Sequence, residues 1–98
     1  MLNSSVSVLG VQAHALSQIG QIDQAFELIS KIMINNPYVP SLIHHQAKLF
    51  KMKNELNISL KLAEICSELA PESISNWLLL SELYYMTKNY AKALLIRH

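Results

Sequence analysis

Histidine and lysine crowd one stretch of this chain. His44, His45, Lys48 and Lys51 fall within two helical turns of each other, with His14 upstream and Glu82 downstream. Paired imidazoles can ligate a metal. Here no cysteine or carboxylate completes a set, and the neighbours His44 and His45 point to different faces of any helix that carries them. Nucleophilic catalysis needs a nucleophile, a base and an orienting group held together. Serines and histidines are present, but no motif arranges them so. Gly10 and Gly20 are the only glycines, too few for a phosphate loop or a dinucleotide fingerprint. Lys48, Lys51, Lys53 and Lys61 are too dispersed to form a stripe for nucleic acid. The sequence therefore predicts no catalytic residue, no cofactor, no metal ion and no nucleic-acid partner. These side chains remain suited to recognition of another polypeptide.

The elements that position them are helices. Val6, Leu9, Ala13, Leu16 and Ile19 give an apolar stripe at helical spacing, ended by Gly20. A second stripe runs through Ile22, Ala25, Phe26, Ile29, Ile32 and Met33 to Asn35-Asn36-Pro37. Pro40 suits the first turn of a third helix, where a missing amide hydrogen is harmless, and Ile43, Ala47 and Phe50 follow. Asn54 is expected to cap a fourth helix, with Leu56, Ser59, Leu60, Ala63 and Cys66 facing in. Cys66 reads as a core residue rather than a reactive thiol. Pro71 and Ser73 open a fifth helix through Trp77, Leu80, Ser81 and Tyr84, and a sixth starts near Asn89.

These elements share one register. Pro37 and Pro71 stand 34 residues apart, and the same offset links Ala13, Ala47 and Ser81. It also links Leu16, Phe50 and Tyr84, then Gly20, Asn54 and Lys88, then Ile22, Leu56 and Tyr90, then Ala25, Ser59 and Ala93. Small residues recur because two helices approach closely only where a side chain is short. An irregular helical bundle would show the same periodicity without the register. Trp77-Leu78-Leu79-Leu80-Ser81-Glu82-Leu83-Tyr84 reads W-x2-L-S-x2-Y, with Tyr90 and Ala93 following in step. The chain thus resembles the tetratricopeptide repeat, a helix–turn–helix unit of 34 residues. In the first two copies Leu9 and Ile43 replace the tryptophan, and Gln12 and Gln46 the leucine. The expected fold is all-α, an α-solenoid of about 2.7 repeats over residues 6–39, 40–73 and 74–98.

Composition sets bounds on this reading. Ninety-eight residues make one small domain at most, and with 51% of them apolar its core is of marginal size. A net charge of +1 gives no bulk attraction to nucleic acid or to an anionic membrane. A lone cysteine fits a reducing compartment. No basic N-terminal region precedes an apolar stretch, so a secretory signal is not expected, and no apolar run is long enough to span a bilayer. A cytoplasmic location follows as the expectation. Stacked repeats need polar end caps, whereas Arg97 falls where the repeat usually places an apolar residue. The chain is therefore expected to be part of a larger chain or complex, or to shield its ends by association.

The resemblance also implies a site. In tetratricopeptide repeats the first helix of each unit lines a concave groove that holds a protein or peptide. The matching positions are Ser7, Gly10, Val11, His14, Ser17 and Gln18, then Ser41, His44, His45, Lys48, Lys51 and Met52, then Ser75, Leu78, Leu79, Glu82, Tyr85 and Met86. Of these, His14, His44, His45, Lys48, Met52, Leu79, Glu82, Tyr85 and Met86 are the candidate partner-binding residues, with Tyr85 as an anchor. Trp77, Tyr84 and Tyr90 match core places. Chaperone-binding members clamp a terminal carboxylate with lysine, asparagine and arginine. Gly10, His14, His45, Ser75 and Leu79 stand at those places, so that clamp is not expected. Residues 63–73, Trp77-Leu78-Leu79-Leu80 and residues 90–95 also resemble the repeat region of fungal exomer cargo adaptors. These peripheral subunits sort membrane proteins, including chitin synthase, from the trans-Golgi network to the cell surface. That likeness implies an adaptor scaffold at the cytosolic face of that compartment. A purely structural segment of a larger superhelix is the alternative, and an RNA-binding helical repeat comes third.

Overall fold

A computed structural model describes the backbone of residues 2–96 and the side chains of residues 8–96. Arg97 and the side chains of Val6 and Ser7 lie outside the described residues. The described chain is all-α: α1 (Leu2–Gln18), α2 (Ile22–Asn35), α3 (Pro40–Met52), α4 (Leu56–Leu69), α5 (Ile74–Met86) and α6 (Tyr90–Leu95). Each odd-numbered helix packs on the helix that follows it. In addition α3 packs on α1 and α2, and α5 on α4. The helix pairs stack into a body of 40 × 27 × 19 Å.

The register of the sequence reappears in the backbone. Gly20, Asn54 and Lys88 all have positive φ, at 87°, 62° and 65°. Each sits just past a first helix and closes it with the same two bonds. The amides of Gly20, Asn54 and Lys88 donate to the carbonyls of Ser17, Lys51 and Tyr85. Those of Gln21, Glu55 and Asn89 donate to Leu16, Phe50 and Tyr84. This is the Schellman pattern, which satisfies carbonyls that have no helical partner. Glycine enters the left-handed region freely and asparagine with little strain, whereas lysine does so against a steric penalty of roughly 1 kcal/mol. Asn54 therefore ends α3 and does not cap α4. The α4 N-cap is Glu55, and its side chain makes no capping bond. The two tight connections between pairs also match: Val39 and Ser73 both enter their helices from extended backbone. Ser73 adds a side-chain cap to the amide of Asn76.

Two apolar clusters flank α3. One joins Ala13, Ala25, Ile29, Ile32, Leu42 and Leu49. The other joins Ala47, Ala63, Leu79, Leu80 and Leu83, with Trp77 and Tyr84 packed against it. Ala13, Ala25, Ala47 and Ser59 are fully enclosed, as their spacing predicts. Ser59 stands where α2 has alanine, and its hydroxyl is satisfied at 2.6 Å by the carbonyl of Ala47, the small residue it faces. Ser81 and Ala93 are only half-buried, and Ile19 is exposed because α1 ends before it. Tyr90, expected in the core, instead lies half out of the fold with its ring edge-on to Tyr85.

Candidate partner-binding face

The first helices of the three pairs lie side by side and are joined by side chains expected on the groove. Between α1 and α3, the His45 ring packs beside Gly10, where a Cβ would stand in ordinary contact at 3.6 Å. The His14 and His45 rings lie 5.8 Å apart. Between α3 and α5, His44 meets Asn76 at 2.8 Å and Lys51 meets Glu82 at 2.6 Å. Ala13, His14, Ser17, Gln18, His45, Lys48, Leu49 and Met52 surround a dimple at the first seam.

Asn76 is the residue that sequence reasoning missed. It is 4% exposed. Its side-chain amide donates to the Cys66 carbonyl, its Oδ1 is therefore left to accept from His44 Nδ1–H, and its own carbonyl accepts from Ser67. Its place in the register belongs to Leu42 in the preceding pair, which is fully buried. A polar residue at a buried apolar position needs internal partners. That mismatch is the signal that would have found it.

The remaining candidates divide. Tyr85 is 65% exposed, and Met52, Met86 and Glu82 are also open to solvent. Leu78 is exposed as well. His14, His44, His45 and Lys48 are half-buried with an edge to solvent. Leu79 is not on this face. At 5% exposure it sits in the second core cluster, so it offers no surface to a ligand. Four consecutive apolar residues, Trp77 to Leu80, hide from the sequence which of them points outward. Gly10 and Ser17 are likewise buried, and the Ser17 hydroxyl is occupied by the His14 carbonyl.

Electrostatics separate the seams further. Burial pushes His45 down to about 4, with help from His44, His14 and Lys48. His44 is also lowered, chiefly by burial, although its bond to Asn76 acts the other way. Burial raises Cys66 to about 11, which keeps it a thiol. Tyr84 rises to about 12 through burial and its bond to Glu64, a tether between α4 and α5. Among the described residues no three His, Cys, Asp or Glu side chains converge to hold a metal. No described helix is long and apolar enough to cross a membrane.

Comparison with known proteins adds a family. The sequence model of the ChAPs, the Chs5p-Arf1p-binding proteins, matches residues 3–97. The chain belongs to the ChAPs family. The cargo-adaptor resemblance of residues 63–73 and of the Trp77 and Tyr90 segments is thereby borne out. No curated protein sequence matches the chain. In this ChAPs member the face along α1, α3 and α5 combines exposed Met52, Leu78, Tyr85 and Met86 with a half-buried polar seam.

Proposed function

We propose that this ChAPs segment is a tetratricopeptide-like interaction scaffold within a cargo adaptor for export of membrane proteins such as chitin synthase. Its partners are proteins of the kind the family is named for, Chs5p and Arf1p, and it works at the cytosolic face of the trans-Golgi network. It carries out no catalysis. The observation that carries this reading is the alignment of α1, α3 and α5 into one face, with Met52, Leu78, Tyr85 and Met86 exposed beside a polar seam. Exposed aromatic and methionine side chains next to polar groups are typical of recognition surfaces. Immobilised protein challenged with purified Chs5p and Arf1p tests it. Tyr85→Ala is expected to weaken the partner that uses this face by roughly thirtyfold, the usual effect of truncating a buried aromatic anchor. Glu27→Ala and Lys61→Ala, on second helices, should leave affinity unchanged. The reverse pattern would move the site to the opposite side.

One observation favours a second reading, in which the repeats pack inside a larger superhelix and hold no separate ligand. Trp77, Leu80, Tyr84, Leu95 and Ile96 border an open slot between α5 and α6 that is mostly apolar. Under that reading Tyr85→Ala leaves partner binding intact, while Trp77→Ala abolishes assembly of the intact adaptor.

A further inference from the structure

We infer that the dimple between α1 and α3 is a seat for an acidic side chain of a bound polypeptide, a glutamate or aspartate held by Lys48, His45 and His14. The inference rests on the interaction face proposed above and assigns its ligand chemistry. Three observations carry it. Lys48, His14 and His45 line one concavity. Among the described residues the ion pairs are Lys31–Glu27, Lys51–Glu82 and Lys53–Asp23, so the dimple's donors have no carboxylate of their own. The charged and titratable groups that face His45 are His44 and Lys48 on its own helix and His14 on α1, all basic. The neighbouring seam shows the contrast: there Lys51, about one turn further along α3 than Lys48, is neutralised by Glu82 of α5.

The half-buried Lys48 ammonium, flanked by imidazole N–H donors and by no carboxylate, favours an incoming anion. A seated carboxylate accepts from the Lys48 ammonium and from an imidazole N–H, and such charge-assisted bonds are the stronger kind. It also reverses the setting of His45, whose protonation then gains a counter-charge. Exposed Met52 beside the dimple, and Tyr85 and Met86 further along the face, would take an apolar residue following the acid. The site takes a side chain within a polypeptide, so a free C-terminus is not required.

Fluorescence anisotropy of a labelled peptide with two adjacent glutamates followed by leucine and phenylalanine, acetylated and amidated, tests this against copies with glutamine or lysine in place of glutamate. On the wild-type protein the glutamate peptide should bind about tenfold tighter than the glutamine one, the range expected for one charge-assisted contact. The lysine peptide should bind more weakly still. The preference should vanish in Lys48→Met and shrink in His14→Gln. Equal binding of the three peptides to the wild type overturns the inference whatever the variants do. So does a preference that survives Lys48→Met, or one that appears only when the peptide's C-terminus is left free. An acid preference that holds while neither Chs5p nor Arf1p binds would sustain the seat and remove the proposed partners.

Discussion

The two seams along the row of first helices are built from the same kinds of residue and end in opposite states. Between α3 and α5, His44 is matched by Asn76 and Lys51 by Glu82, so the polar groups answer one another inside the protein. Between α1 and α3, His14, His45 and Lys48 gather around Gly10 and a dimple with no acid among them. The first arrangement fixes neighbouring helix pairs, and the second leaves potential unspent at the surface. One row of helices thus closes its polar groups on one another at one joint and leaves them open at the next.

The sharpest way to break this contrast is to cut the closed seam at its buried point. Asn76→Ala removes bonds to His44 and Cys66 at once and should lower stability by about 2 kcal/mol. His14→Ala at the open seam should change stability by less than about 0.5 kcal/mol. Chemical denaturation of both variants checks the pair, and equal losses would erase the distinction.

Acid should act next most strongly. His45 in the folded protein titrates at about 4, against 6.5 when unperturbed. Above pH 6.5 it is neutral in both states and its contribution to stability is complete. As pH falls from 6.5 towards 4 the unfolded chain takes up the proton first, so stability declines. His44 is shifted in the same direction and adds to the decline. The thermal midpoint should therefore drop across this window, and drop less in His45→Gln. A flat midpoint would show that the imidazole is not held neutral by its surroundings.

The smallest effect belongs to the exposed tie of the closed seam. Lys51→Ala should cost no more than about 0.5 kcal/mol despite its short ion pair, since Glu82 remains half in water and exposed pairs gain little. Its larger consequence should be to free Glu82. A loss comparable to that of Asn76→Ala would mean that charge, and not the buried amide, holds this joint.

Much of the fold was legible because a repeated pattern checks itself. Ala13, Ala25, Ala47 and Ser59 could be assigned to close contacts from their offset alone, and all four are enclosed. Turn positions are equally plain, though Asn54 suits a cap for α4 by residue type and its left-handed backbone makes it the end of α3. The site was harder. Leu79 looked like surface because register names a position but does not say how far an apolar face spreads, and α5 is apolar nearly all round. Asn76 is uncharged, so its residue type alone gives no sign of a role. Its meaning lies in what it replaces, since Leu42 marks the place as buried.

The three Schellman turns have a consequence of their own. Gly20, Asn54 and Lys88 differ in size and charge yet share a left-handed backbone, so the bend inside each pair, one contributor to the pitch of the stack, does not depend on which residue occupies it. Pitch and face chemistry are thus separate variables. The face behaves as a ruler whose graduations are backbone turns and whose markings are side chains. A tandem copy of residues 40–73 would lengthen that ruler by one division, with each new unit stabilised through its immediate neighbours.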